Sequence, residues 1–190
     1  IMHCEIPKKT PENRAARAII ESGELGELIM IDDHSTGEYF TPERPAWFMT
    51  KKLAGGGVSI NFGVHTLDRF CYLTGSSVAS ITGACTYQHP GSDVDGSAHF
   101  FLRAQSGVTG SVSISGYPSI PEEYTTLYLT KGAICIRPFV SVCKTTGGEY
   151  DPVDFSGYPG MFEAQMEDFV TAMDTGRVLY YTAGNNCGFT

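Results

Sequence analysis

One short segment of the chain gathers the side chains best able to do chemistry. Three consecutive glycines at positions 55–57 are followed by Asn61, His65, Asp68 and Tyr72. On a helix with about 100° per residue, these four polar side chains fall within roughly 60° of one another. Burying an amide, an imidazole and a carboxylate is costly unless the groups find partners. Such a ribbon is therefore expected at a functional site, or where the groups satisfy one another.

His65 is the member of this ribbon best suited to proton transfer, because imidazole titrates near neutral pH. A hydrogen bond from Asn61, four residues before it, or from Asp68, three residues after it, could fix its tautomer. The pattern alone leaves two interpretations open. His65 is either a catalytic histidine or a structural one whose hydrogen bonds are satisfied in the core.

Helices and strands that must position this segment can be predicted from capping residues and hydrophobic periods. Helices are expected from Pro11 to a stop at Gly23, with Thr10 as the N-cap, over residues 58–73, and after residues 158–160. A short strand is expected at residues 28–32, and from residue 78 onward the period is two. The later strands are predicted at residues 78–87, 96–103, 108–117, 124–129, 133–139 and 140–144.

The segment 108–115 alternates cleanly between apolar and hydroxyl side chains. Its apolar face, with Val112 and Ile114, is expected to meet helices. The other face, with Thr109 and Ser111, carries no charge, which suits sheet-to-sheet association between subunits. A simple solvated face would give the same pattern, so both interpretations stay open.

Two other segments are rich in large apolar side chains. The last helix carries a stripe at i, i+4, i+7 and i+11, which we interpret as core packing: Phe162, Met166, Phe169 and Met173. A long loop at residues 35–50 contains Tyr39, Arg44 and Trp47. Long loops of this kind are often lids or binding segments, and its aromatic content argues against disorder.

Composition narrows the class of protein further. The chain has 190 residues, 42% of them hydrophobic, which is enough for a sizeable core in one domain. Thirteen basic against twenty-one acidic residues give a net charge of −8, which argues against nucleic acid or an anionic membrane as partner. Charged residues make up only 18%, so we expect part of the surface to be covered by another subunit or domain.

Targeting and cysteine patterns favour the cytoplasm. No apolar run reaches the length of about 18 residues needed for a membrane span, and Lys8, Lys9 and Pro11 occupy positions where a signal peptide would be apolar. Six cysteines at irregular spacings, without a Cys-x-x-Cys pair, predict small buried thiols rather than a zinc site or a disulfide framework. The first residue, Ile1, and the loop-like end at Thr190 are interpreted as cut or processed ends of a longer protein.

Taken together, the motifs resemble those of a known enzyme family. The glycine triplet, Asn61-x-x-x-His65-x-x-Asp68 and the sequence at 72–75 resemble the hallmark helix of the Gfo/Idh/MocA oxidoreductases, named for glucose–fructose oxidoreductase and inositol dehydrogenase. Residues 19–28, Pro45-Ala46-Trp47 and Glu167-Asp168-Phe169 also fit. The resemblance covers nearly the whole chain.

This resemblance implies an α+β fold, with a large, mostly antiparallel β-sheet backed by helices on one face, in a single substrate-binding and oligomerisation domain at residues 1–190. It also implies NAD or NADP as cofactor of the full-length enzyme, held by an N-terminal Rossmann domain. No Gly-x-Gly-x-x-Gly follows a strand here, and the family's Glu-Lys-Pro motif is absent. We therefore expect no cofactor-binding residues in this chain, no cofactor bound to it alone, and no turnover by it.

The family motif assigns roles to individual residues. His65 would transfer the proton of the substrate hydroxyl or carbonyl. Asn61, where many members have Asp, would hydrogen-bond the substrate or orient His65, and Asp68 would support them. Position in the loop suggests that Trp47, Arg44 and Tyr39 line the substrate side. The expected substrate is a secondary alcohol of a sugar, cyclitol or polyol, and the expected assembly is a homodimer or homotetramer paired through the sheet face.

Two rival functions make different demands on the same residues. A non-catalytic module for sheet-mediated assembly or carbohydrate binding would need Trp47 and Tyr39 but not His65. A metal-dependent hydrolase would need His65 and Asp68 together with the scattered histidines His3, His34, His89 and His99. The substrate, the choice between NAD and NADP and the number of subunits are not encoded in these motifs.

Overall fold

The computed structural model describes residues 10–176. The helices of this range are α1 (Pro11–Ser22), α2 (Lys51–Ala54), α3 (Val58–Asn61), α4 (Gly63–Thr74) and α5 (Met161–Thr175), with a 3₁₀ helix at Ala46–Met49. The strands of this range are β1 (Leu28–Thr36), β2 (Val78–Thr86), β3 (Ser97–Ala104), β4 (Thr109–Ser115), β5 (Glu122–Leu129), β6 (Gly132–Arg137), β7 (Ser141–Thr145) and β8 (Asp151–Pro152). The predicted α+β class is confirmed.

The strands of the described residues form one sheet in the order β2-β3-β4-β1-β5-β6-β7-β8. Within it, β1 and β4 pair in parallel and every other neighbouring pair is antiparallel, so the predicted, mostly antiparallel sheet is confirmed. The predicted alternation of β4 is also confirmed, because Val112 and Ile114 are buried while Ser111 is exposed.

Helices cover one face of the sheet, which we call the inner face; the opposite face is called the outer face. α1 packs on β6 and β7, α3 on β3 and β4, and α4 on β1 and β4. Leu102, Leu127 and Ile134 are fully buried between these layers. The predicted caps of α1 are confirmed, since the Thr10 hydroxyl accepts from the Asn13 N–H and Gly23 adopts a left-handed conformation with φ of 71°.

β1 is longer than the sequence predicted, reaching Thr36 instead of residue 32. The polar residues at its end suggested a loop, yet Asp33 lies on the inner face opposite Val112 and Thr125 and is buried. A carboxylate can occupy such a position only when a charged or hydrogen-bonding partner meets it. That partner is Arg69 of α4, described below.

The helix predicted at residues 58–73 is divided in two at Phe62, between α3 and α4. Here the backbone N–H of His65 donates to the Phe62 carbonyl, a tight i to i−3 bond, before the regular pattern resumes. Asn61 therefore ends one helix and His65 lies in the next. The predicted single ribbon is interrupted between its first two members.

The stripe on α5 is not core packing, and this prediction was wrong. Ala164 and Ala172 are the buried residues of the helix, whereas Phe162, Met166 and Met173 are between 62% and 68% exposed. At about 100° per residue, the stripe of large apolar side chains is centred roughly 130° around the helix from the midpoint of the two alanines. The helix thus rests on its small residues and presents its large ones outward.

Candidate active site

The glycine triplet forms a tight connection that Asp95 holds in place. Gly55 has a φ of 82°, and a Cβ on Gly57 would collide with the backbone carbonyl of Asp95. The buried Asp95 carboxylate accepts from the N–H of Gly57 at 2.8 Å and of Ser59 at 2.7 Å, while its carbonyl accepts from Val58 at 3.1 Å. These contacts satisfy N–H groups that the first turn of α3 leaves without helical partners.

A buried charge network fastens α4 to the sheet one turn after His65. Arg69 and Asp33 are each 5% exposed, and Arg69 Nη1 lies 2.9 Å from Asp33 Oδ2. Thr66 and Thr125 also donate to the Asp33 carboxylate, and Arg69 Nη2 donates to Glu123 at 2.7 Å. Burial acts to lower the pKa of Arg69, but the charges of Asp33 and Glu123 outweigh it and the pKa is raised.

His65 lies at the wall of a cavity of about 230 Å³ on this side of the molecule. The cavity is lined by polar residues of α1 and its N-cap, α4 and β5, together with apolar residues of β6, the β6–β7 turn and the start of α5: Thr10, Asn13, His65, Arg69, Glu123, Ile136, Pro138, Phe139 and Met161. Since the imidazole is half-buried and shares the cavity with hydroxyl, amide, carboxylate and guanidinium groups, a small polyhydroxylated molecule fits its chemistry.

The other two members of the predicted motif occupy different surroundings. Asn61 is half-buried at the end of α3, and its backbone N–H donates to Gly57. Asp68 is buried on α4 and does not line the cavity of His65. The structure therefore brings His65 together with Arg69 and Glu123, which the sequence did not single out.

The aromatic loop before the glycines has both buried and exposed residues. Tyr39 is fully buried and meets the rings of Phe48 and Phe62 edge-on. The half-buried Arg44 guanidinium lies 4.0 Å above the Tyr39 ring, a cation–π contact, and Trp47 is 47% exposed and stacked on Phe48. Of the three predicted substrate-side residues, Trp47 and Arg44 reach the surface, and Tyr39 supports Arg44 from beneath.

Four large apolar side chains in and just before the motif helices are exposed. They are Trp47, Leu53, Ile60 and Val64, which we call the apolar rim. Ile60 directly precedes Asn61 on α3 and Val64 directly precedes His65 on α4, while Leu53 lies on α2 and Trp47 on the 3₁₀ helix before it. Exposed apolar patches of this kind mark contact surfaces more often than solvated ones.

The signals that could have found the missed residues are weak. Asp33, Arg69 and Glu123 are far apart in sequence and come together only through the pairing of β1 with β5 and the packing of α4. Asp95 stands before a glycine and looks like an ordinary turn residue. Asp33 is flanked by Asp32 and His34, and Arg69 directly follows Asp68, so no local pattern marks either residue as half of a buried pair.

The structure also bears on the expectations about metal ligands, membrane-spanning helices and the state of the cysteines. Among residues 10–176, no group of three or more His, Cys, Asp or Glu side chains could hold a metal ion, and no helix there is long and apolar enough to cross a membrane. Cys85, Cys135 and Cys143 are free thiols, as expected, but they are partly exposed instead of buried. Cys71 is disulfide-bonded, contrary to the prediction, because spacing along a chain does not fix which thiols meet in space. His3, Cys4 and Cys187 lie outside the described residues.

Comparison with known proteins decides the family. Residues 13–135 match the GFO/IDH/MocA C-terminal domain. The chain belongs to this family. Inositol 2-dehydrogenase 1 of Paenarthrobacter aurescens is 26% identical over 177 residues, which cover 88% of this chain and 49% of that protein. The GFO/IDH/MocA domain described here thus spans about half the length of this curated relative.

Solved structures of low sequence identity share the fold. Aldose-aldose oxidoreductase from Caulobacter crescentus, in complex with glycerol, has a TM-score of 0.86 at 20% identity, covering 99% of this chain and 58% of that one. An oxidoreductase from Agrobacterium radiobacter, in complex with NAD⁺, L-tartaric acid and magnesium, has a TM-score of 0.81 at 17% identity, covering 98% of this chain and 58% of that one. These likenesses show that the shared fold extends beyond residue 135.

Proposed function

We propose that this chain is the substrate-binding domain of an NAD- or NADP-dependent oxidoreductase that acts on a secondary alcohol of a sugar, cyclitol or polyol. The observation that carries the proposal is His65, half-buried at the wall of a cavity that polar and apolar side chains line together, on a helix that Arg69 and Asp33 fasten to the sheet. Family membership supports the reaction class. The name of the inositol dehydrogenase relative supports the substrate class.

The described residues do not themselves fit a dinucleotide cofactor. In residues 10–176 the one parallel pair, β1 with β4, is not followed by the glycine-rich turn that binds a pyrophosphate. We assign the cofactor to a separate, N-terminal Rossmann domain of the same protein. There it would supply the hydride acceptor, while this chain would hold the substrate and move the proton.

Each residue of the motif, and each polar residue that shares the cavity with His65, then has a specific task. His65 accepts the proton of the substrate hydroxyl, a step that suits imidazole near neutral pH. Asn61 hydrogen-bonds the substrate or orients His65, and its amide cannot serve as a carboxylate base. Arg69 and Glu123 offer a donor and an acceptor to further hydroxyl groups. Asp68 supports the helix from its buried side.

Trp47 and Arg44 complete the substrate side of the proposal. The aromatic face of Trp47 suits the apolar face of a sugar or cyclitol ring, and Arg44 can donate to hydroxyl or carbonyl oxygens. Stacking on Tyr39 holds the Arg44 guanidinium in a fixed direction. Tyr39 therefore acts through Arg44 in this proposal, because it has no exposed surface of its own in this chain.

The decisive experiment compares two histidines in the longer protein that contains this chain. Initial rates with NAD and NADP are measured over a panel of sugars and polyols, and the best substrate is used for His65→Ala and for His99→Ala, an exposed histidine on β3. We expect His65→Ala to lower kcat by about 10²-fold or more and to change the pH profile, and His99→Ala to retain both. A His65→Ala enzyme with unchanged kcat would overturn the assignment.

We propose that the N-terminal domain closes over the apolar rim, so that a sugar ring on Trp47 would be enclosed between the two domains and the cofactor would lie beside His65. Trp47 is the single tryptophan of the chain, so its fluorescence reports on this surface. Acrylamide should quench Trp47 strongly in the 190-residue chain and much less in the longer protein, after subtraction of the signal of a Trp47→Phe control. Equal quenching in both proteins would mean that the rim stays open.

We propose that the outer face of the sheet pairs subunits into a homodimer or homotetramer. Phe101 is 55% exposed there, beside the uncharged Ser111 opposite it on β4. Phe101→Asp is expected to dissociate the assembly in sedimentation velocity. Ile120→Asp, in the exposed loop before β5, is the matched control and should leave it intact. Identical sedimentation of the wild type and both variants would contradict this interface.

A further inference from the structure

Two free thiols face each other on the outer face of the sheet. Cys135 of β6 and Cys143 of β7 are partners in the antiparallel register, and both are partly exposed. Their neighbours Ile134, Ile136 and Val142 are buried on the inner face, so the alternation of strand side chains places both thiols on the outer face.

The spacing of such a pair is compatible with a covalent bond. Directly opposed residues of antiparallel strands have Cα atoms about 4.5 to 5.5 Å apart, inside the range of about 4.4 to 6.8 Å found in disulfides. Their Cβ atoms, about 4.5 to 5.5 Å apart, need to approach by only about 1 Å. No change of register or of strand pairing is required for closure.

We propose that Cys135 and Cys143 are a redox-active dithiol that a small disulfide, such as oxidised glutathione, closes into an intramolecular disulfide. Two S–H bonds of the protein are broken and one S–S bond forms between the two cysteines. The S–S bond of the oxidant is broken, and its two halves take up the two electrons and the two protons as thiols. The inference stands on this register alone, and it concerns the monomeric chain, because the assembly proposed above would cover the outer face.

The pair lies on the hairpin that forms one wall of the His65 cavity. The β6–β7 turn places Phe139 in a left-handed conformation with φ of 60°, and its N–H donates to the buried Glu12 carboxylate at 2.6 Å. Phe139 in turn lines the cavity. A disulfide two register positions from this turn would tie the two strands beneath that wall.

The test uses the 190-residue chain at a concentration where sedimentation shows a monomer. The folded protein is incubated with oxidised glutathione, the remaining thiols are alkylated, and the digest is mapped by mass spectrometry. We expect a cross-linked peptide pair that joins Cys135 to Cys143 and has lost the mass of two hydrogen atoms. Dithiothreitol should separate it into two alkylatable peptides.

Cys85 provides the internal control. It pairs with Ala98 across β2 and β3, so no thiol faces it, and burial together with the nearby Asp95 raises its thiol pKa. Cys85→Ser should leave the cross-link intact, whereas Cys135→Ser and Cys143→Ser should each abolish it. The proposal is overturned if both thiols stay fully alkylatable at glutathione concentrations that oxidise the urea-unfolded chain. It is also overturned if the only cross-link joins two chains.

Discussion

Helices α4 and α5 both carry an apolar stripe at helical spacing, but they use it in opposite ways. α4 buries Phe70 and Leu73 against the sheet and pairs its one arginine, Arg69, inside the core. α5 rests on Ala164 and Ala172 and exposes its larger apolar side chains. A periodic stripe therefore predicts that a helix face makes a contact, but it does not say whether the partner lies in the same domain.

The exposed apolar stripe on α5 agrees with the finding that the chain covers only part of the length of its relatives. The solved structures with the same fold are longer, and the chain covers 58% of each of the two described above. A domain that works beside another one is expected to leave apolar surface exposed when it is taken alone. Under the proposed function, the apolar rim and the stripe on α5 would be two such surfaces.

The largest loss of stability is expected for Arg69→Met on α4, which removes the buried ion pair with Asp33. The substitution leaves the Asp33 carboxylate buried without its cation, so the free energy of unfolding should fall by about 3–5 kcal/mol. Urea unfolding of the 190-residue chain measures it. Lys144→Met removes an exposed ion pair with Glu24 and should cost at most about 1 kcal/mol. If both variants lost a similar amount of unfolding free energy, the buried Asp33–Arg69 network would not stabilise the fold more than an exposed ion pair does.

Residues near one another in sequence were predicted well, and residues that meet only through sheet pairing were not. Thr10, Pro11 and Gly23 specify the ends of α1 through local capping, and the alternation of residues 108–115 specifies the two faces of β4. Asp33 and Arg69 are separated by 36 positions, and nothing local shows that β1 runs beneath α4. The position of His65 was predicted from its motif, but the cavity around it depends on these distant contacts.

A second, smaller effect is expected at the start of α3. Asp95→Ala removes two charge-assisted hydrogen bonds to the N–H groups of Gly57 and Ser59, which should lower the free energy of unfolding by about 2–3 kcal/mol. Asp93→Ala removes one bond to the N–H of Lys51 at an exposed position and should cost about 1 kcal/mol. Since α5 begins at Gly160 without a side-chain cap, it offers no comparable site.

Asp95→Ala also tests whether Asp95 stabilises the start of α3 locally or the whole fold. Amide hydrogen exchange should speed up first at residues 57–62, where the carboxylate holds the helix start, and only slightly in β5 and β6. Uniformly faster exchange over the whole sheet would contradict a local role for Asp95 and would indicate loss of global stability instead.

The smallest change in stability is expected for Met166→Ser on α5, which is compared below with a substitution at a buried position of α4. Because Met166 is 62% exposed, its replacement should change the free energy of unfolding of the 190-residue chain by no more than about 0.5 kcal/mol. Leu73→Ala on α4, at a fully buried position, should cost about 2–5 kcal/mol under the same conditions. A loss above about 1.5 kcal/mol for Met166→Ser would mean that the stripe is already buried within this chain. A small loss here combined with a larger one in the longer protein would locate the partner of α5 outside the domain.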